Sequence, residues 1–62
     1  MIIYTVYINN INIKSFGHKK DAFNFITQYD NQIDKIIIWK EEFQDDYSYE
    51  MHGYKEIIYS IN

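Results

Sequence analysis

DKIIIWKEEF, residues 34–43, decides how the chain folds. Isoleucine and tryptophan favour extended backbone, where successive side chains point to opposite faces of a sheet. Ile36 and Ile38 then share one face, and Ile37, Trp39 and Phe43 share the other. A strand that is apolar on both faces belongs in the middle of a sheet. One face must take a covering layer, and the other must be closed by neighbours or by a partner.

Working towards the C-terminus, the next stretch is EEFQDDYSYE, residues 41–50, with five carboxylates and three aromatic rings. A three-residue loop at 44–46 would set Phe43 opposite Tyr47, Trp39 opposite Met51 and Lys40 opposite Glu50. Those pairs match aromatic, apolar and opposite-charge groups. A two-residue Asp45-Asp46 turn would instead oppose Glu41 and Glu50, so the longer loop is preferred. YKEIIYSI, residues 54–61, is a further strand, and His52-Gly53 is read either as a tight turn or as a bulge within one long strand.

Towards the N-terminus, Ala22, Phe25, Ile26 and Tyr29 recur at i, i+3, i+4 and i+7, one stripe of a helix expected over about 18–31. His18 and Asp21 are spaced as a weak capping box, and Asn31 is a plausible stop. Before Gly17, IIYTVYI and INIKSF read as two strands joined at Asn9-Asn10, a pair that tolerates the positive φ of a tight hairpin. A regular ladder from that turn opposes Ile8 with Ile11, Val6 with Ile13 and Tyr4 with Ser15. Tyr4, Val6, Ile8, Ile11 and Ile13 are then the core face. Ile3, Thr5, Tyr7, Asn12, Lys14 and Phe16 occupy the reverse.

The expected fold is α+β: one domain over residues 1–62, with strand order β-β-α-β-β and a fifth strand if the last run splits. One helix packs on one face of a small antiparallel sheet. At 62 residues without cysteine, neither a disulfide nor a thiolate–zinc staple is at hand. No apolar run approaches the roughly 20 residues that span a bilayer, and MIIYTVYINN lacks the unbroken apolar stretch of a signal peptide. A cytoplasmic, intracellular location without membrane association is therefore expected.

Ile, Asn, Lys, Tyr and Phe supply 36 residues, and Leu, Arg, Pro and Cys are missing. Largely A/T-rich codons encode those five, which suggests a low-GC bacterium, its phage or another mobile element. The net charge is −3. Residues 1–30 carry +1 and residues 31–62 carry −4, so the acidic pole lies in the C-terminal half. That balance, with no guanidinium fork for phosphate, disfavours direct nucleic-acid binding.

No catalytic signature is present. Ser48, His52 and Asp45 or Asp46 are close in sequence, but a hairpin tip encloses no substrate, and a triad needs a cleft with an oxyanion hole. His52 with Glu50, or His18 with Asp21, offers two ligands where zinc takes three or four. Two glycines make no phosphate loop. No enzyme activity, metal or cofactor is expected.

The aromatic surface is the strongest lead. If the helix covers Ile36 and Ile38, then Trp39, Phe43, Tyr47 and Tyr49 are left outside. Rings that bury about 150–250 Å² each would rival the ~300–600 Å² largest patch of a typical monomer. If the helix takes the Trp39 face, the rings are ordinary core. In the first arrangement Glu41 borders the rings, Glu42 and Glu50 lie on the opposite face, and Asp45 and Asp46 form the tip. An apolar centre with a charged border is how protein interfaces are built, and acidic borders steer a basic partner.

The expected function is a small protein-binding module, such as a phage or mobile-element inhibitor of a host nucleic-acid-handling or defence protein. It would act through Trp39, Glu41, Glu42, Phe43, Asp45, Asp46, Tyr47, Tyr49 and Glu50. A homodimer could use the same surface. The competing class is a nucleic-acid-binding module using the basic segment with Lys14, Phe16, Lys19 and Lys20, where bases stack on a sheet-borne ring.

Overall fold

The structure is a computed structural model that describes residues 1–43 and 54–61. Strands β1 (Ile2–Ile8) and β2 (Ile11–Phe16) precede helix α1 (Lys19–Ile26), and strands β3 (Ile36–Glu42) and β4 (Tyr54–Ile61) follow it. They form a four-stranded antiparallel sheet in the order β2-β1-β3-β4. The α+β class and element order are those the sequence implies, with β3 between two partners. Among the described residues no helix is long and apolar enough to cross a membrane.

The first hairpin turns at Asn9 and Asn10, with φ of 52° and 69°, in the left-handed region that asparagine tolerates better than most residues. Asn9 also ties the turn to the start of β3. Its amide donates to the Lys35 carbonyl at 2.8 Å, its Oδ1 accepts from the Lys35 amide at 2.9 Å, and its Nδ2 donates to Asp34 Oδ1 at 3.0 Å. Replacing Asn9 with alanine removes both side-chain bonds and puts a less tolerant residue at positive φ. We expect a loss of about 1–2 kcal/mol in urea denaturation. A loss below about 0.3 kcal/mol would show that solvent replaces both bonds.

The hairpin register departs from the regular ladder. Ile8 opposes Ile11 as expected, but Val6 opposes Lys14 and Tyr4 opposes Phe16, with Ile13 bulged between the two halves. The correction moves residues between faces. Ile13, expected in the core, is 41 % exposed, whereas Phe16, expected on the reverse face, turns under the helix and meets Phe25 at 5.3 Å between ring centroids. Lys14 follows it, its Nζ 5.3 Å from the Phe16 ring. A bulge brings the larger ring to the core in place of an isoleucine at a strand edge.

The helix is shorter than the expected 18–31. His18 stands at its N-cap without a side-chain capping bond, so the box with Asp21 is not formed. The helix ends at Thr27 instead of Asn31, because the Thr27 hydroxyl (2.7 Å) and amide (3.3 Å) both donate to the Asn24 carbonyl. The apolar stripe still reaches the sheet: Ala22 and Ile26 are buried, and Phe25 and Tyr29 pack beside them.

Among the described residues the core consists of Val6, Ile8, Ala22, Ile26, Ile36 and Ile38. The helix therefore covers the Ile36/Ile38 face, which settles the choice left open by DKIIIWKEEF. It lies mainly over β1 and β2. On the other flank, β3 pairs with Tyr54–Ile61: Trp39 opposes Ile57 and Lys40 opposes Glu56, not Met51 and Glu50. This ladder brings Ile58, Tyr59 and Ile61 against the core. Tyr47, Glu50, Met51 and the His52-Gly53 alternatives lie outside the described residues.

Candidate interaction face

On the side of the sheet away from the helix, the pairing aligns Ile3, Thr5 and Tyr7 of β1 with Glu41, Trp39 and Ile37 of β3. Lys55, Ile57 and Ser60 of β4 continue those rows. Trp39 is at the centre, between Thr5 and Ile57. Among the described residues no helix lies over it, yet it is half-buried because its neighbours crowd it. The same crowding leaves Thr5 only 4 % exposed, and its hydroxyl pairs with that of Ser15 at 3.0 Å across the hairpin. Ile57, in contrast, is 47 % exposed.

Charge borders this apolar centre at one end. Lys55 places its Nζ 4.6 Å from the centre of the Trp39 ring and 4.0 Å from Glu41 Oε1. An exposed ammonium over an indole is worth about 0.5–1 kcal/mol, and an ion pair at the outer distance limit adds little. Lys55 is thus a weakly held cover that an incoming group can displace. Glu41 remains beside the ring as a carboxylate border.

Glu42 points to the helix side, as the strand alternation implies. There its Oε1 lies 3.4 Å from Lys40 Nζ, and this hydrogen bond raises the Lys40 pKa above its ordinary value, against a smaller desolvation effect. Beside them the Tyr54 hydroxyl donates to Glu56 Oε2 at 2.9 Å. That bond, reinforced by the Glu56 charge, raises the Tyr54 pKa above the ordinary phenol value. The neutral phenol is the favoured form, so the contribution is complete below pH 10 and disappears as pH rises through the raised folded value. Tyrosinate absorbance should therefore show Tyr54, identified by subtracting the Tyr54→Phe titration, ionising earlier in Glu56→Gln than in wild type. Superimposable titrations would remove the bond from the account.

Of the sequence-predicted contact residues, Trp39 and Glu41 share the open face, Glu42 is on the other side, and Phe43 follows β3. Phe43 is half-buried, and its backbone exchanges hydrogen bonds with Met1 at 2.8 and 3.0 Å. Asp45, Asp46, Tyr47, Tyr49 and Glu50 lie outside the described residues. Of the alternative set, Phe16 is packed against Phe25 with Lys14 over both rings, and Lys19 and Lys20 are exposed in the first helical turn. The open face also recruits Thr5, Lys55 and Ile57, which the sequence reading did not select. For Lys55 and Ile57 the signal is the alternation within KEI, readable once Ile57 is known to oppose Trp39, and for Thr5 it is the alternation of β1.

No known protein family, curated protein or solved structure matches this chain.

Proposed function

We propose that this chain is a non-enzymatic protein-binding module whose contact surface is the helix-free face of the sheet, centred on Trp39. Such a module would suit a phage or mobile-element inhibitor of a host nucleic-acid-handling or defence protein. The observation that supports this reading is the position of the helix. It lies on the Ile36/Ile38 side, so Trp39, Ile37, Ile57 and Tyr7 form an apolar surface with no layer of the chain's own helix above it. Tryptophan and tyrosine are the residues that most often dominate binding energy at protein interfaces. Glu41 borders the ring, and the acidic residues 45, 46 and 50 continue this character in the sequence, which favours a basic partner and speeds its approach.

The experiment is capture of partners from a low-GC bacterial lysate by wild type, followed by affinity measurement of each recovered protein against Trp39→Ala and Glu41→Lys. Equal affinity for wild type and both folded variants would refute the reading.

A homodimer is the second reading, and the small core favours it. Among the described residues, six buried apolar side chains lie on one side and none on the other, so the second side could build an equal core against another copy. A mass that rises with concentration, and stays monomeric in Trp39→Ala, is expected for it. The nucleic-acid reading draws less support, because Phe16 is packed against Phe25 within the chain and not displayed for a base.

A further inference from the structure

The helix lies over β1 and β2, so among the described residues part of its own side of the sheet, towards β4, is uncovered. The gap is a cavity of about 380 Å³, walled by Phe23, Ile26 and Tyr29 on one side and by Ile36 and Tyr59 on the other, with Asp30 in its lining. That volume is within the range of small-ligand sites. Phe23 and Tyr59 meet at 80° with ring centroids 5.5 Å apart, so they form two walls of a corner and not a stack. The helix C-terminus also borders the cavity through Thr27 and has no basic residue in its last turn, which leaves the negative end of the helix dipole unopposed there. Asp30 Oδ1 accepts from the Gln32 amide at 2.9 Å, a bond that does not engage Oδ2.

Three aromatic groups elsewhere in the chain, Phe16, Phe25 and Trp39, carry cations of their own. Lys14 lies over Phe16 and Phe25, and Lys55 lies over Trp39. Among the described residues no lysine lies over Phe23, Tyr29 or Tyr59. Among the described residues, three rings, an exposed carboxylate and a helix C-terminus thus border a partly open space whose lining holds no lysine.

We propose that this cavity binds an organic ammonium group: the cation is held against the faces of Phe23, Tyr29 and Tyr59 and neutralised by Asp30. The rings attract a cation through their quadrupoles, and a methylated ammonium loses little hydration when it enters. An uncharged ligand of the same shape would gain from burial alone. The site is on the opposite side of the sheet from Trp39 and stands whether or not that face binds a protein.

The test follows the ring-proton NMR signals of Phe23, Tyr29 and Tyr59 while wild type is titrated with three probes. These are N-acetyl-trimethyllysine methylamide, its neutral tert-butyl isostere, and tetramethylammonium. The charged lysine probe should bind in the millimolar range and at least about fivefold more tightly than the isostere. Asp30→Asn keeps an acceptor for Gln32 and removes the charge, so it should weaken the charged probe by about three- to tenfold and leave the isostere unchanged. Tyr29→Leu should weaken the charged probe more than the isostere. If tetramethylammonium binds as tightly as the lysine probe, the site takes a free quaternary ion; if severalfold more weakly, it takes an ammonium on a side chain. Either result upholds the ammonium site. Equal binding of the lysine probe and its isostere to wild type would overturn it, as would no shift up to ~50 mM, a concentration that detects even weak millimolar binding.

Discussion

Replacing Ile38 with alanine is expected to remove a large share of the chain's stability, the greatest loss of any single truncation on β3. Ile38 is 0 % exposed at the centre of β3, with Val6 and Tyr59 as its cross-strand neighbours. Truncating a buried isoleucine to alanine costs about 2–5 kcal/mol, the lost transfer energy plus the cavity left behind. At roughly 0.05–0.15 kcal/mol per residue, a chain of this length has only about 3–9 kcal/mol in total. One substitution can therefore consume most of it. The adjacent Ile37→Ala acts on the open face and should cost about 0.5–1.5 kcal/mol, since that side chain keeps water contact before and after. Urea denaturation followed by far-UV circular dichroism compares the two. Equal losses would contradict a sheet with one packed side and one open side.

The second large effect concerns binding. Trp39→Ala is expected to weaken the protein partner, or the self-association, by at least about 30-fold, the equivalent of roughly 2 kcal/mol. The ring is central, large and crowded by Thr5 and Ile57, so a partner that covers it excludes water on all sides. Its removal also strands Lys55, whose ammonium rests on the indole. The variant should remain folded, because Trp39 is on the opposite side from the six buried core residues. Titration calorimetry, with circular dichroism to verify folding, reads the change. A folded Trp39→Ala with undiminished affinity would move the interface elsewhere.

Much of the fold was legible because its signals are periodic. Ile36, Ile38 and Trp39 announce a central strand, Asn9-Asn10 announces a hairpin, and the Ala22–Tyr29 stripe announces a helix. The errors fall where two arrangements satisfy one local rule. Glu50-Met51 and Glu56-Ile57 both present an acid followed by an apolar residue, so either can meet Lys40 and Trp39 with favourable pairs. The structure uses the second, because it also delivers Ile58, Tyr59 and Ile61 to the core. The Ile13 bulge has the same cause. A regular ladder satisfies the turn, but only the shifted one brings Phe16 to Phe25, a contact between a strand and the helix that the strand's own alternation does not encode. The cavity beside the helix was not legible at all. It depends on where the helix axis lies over the sheet, and side-chain periodicity does not encode that.

Asn9 links two time scales of folding. The hairpin it turns is local and can close within microseconds, whereas the β1–β3 ladder must bring together segments separated by a long loop, a slower search. Because the same residue serves both, its backbone turning the hairpin and its side chain binding the Lys35 amide and the Asp34 carboxylate, an early hairpin holds that side chain ready until β3 arrives. The turn is a docking point for the later strand, so the fastest-forming part of the molecule prepares the register of the slowest.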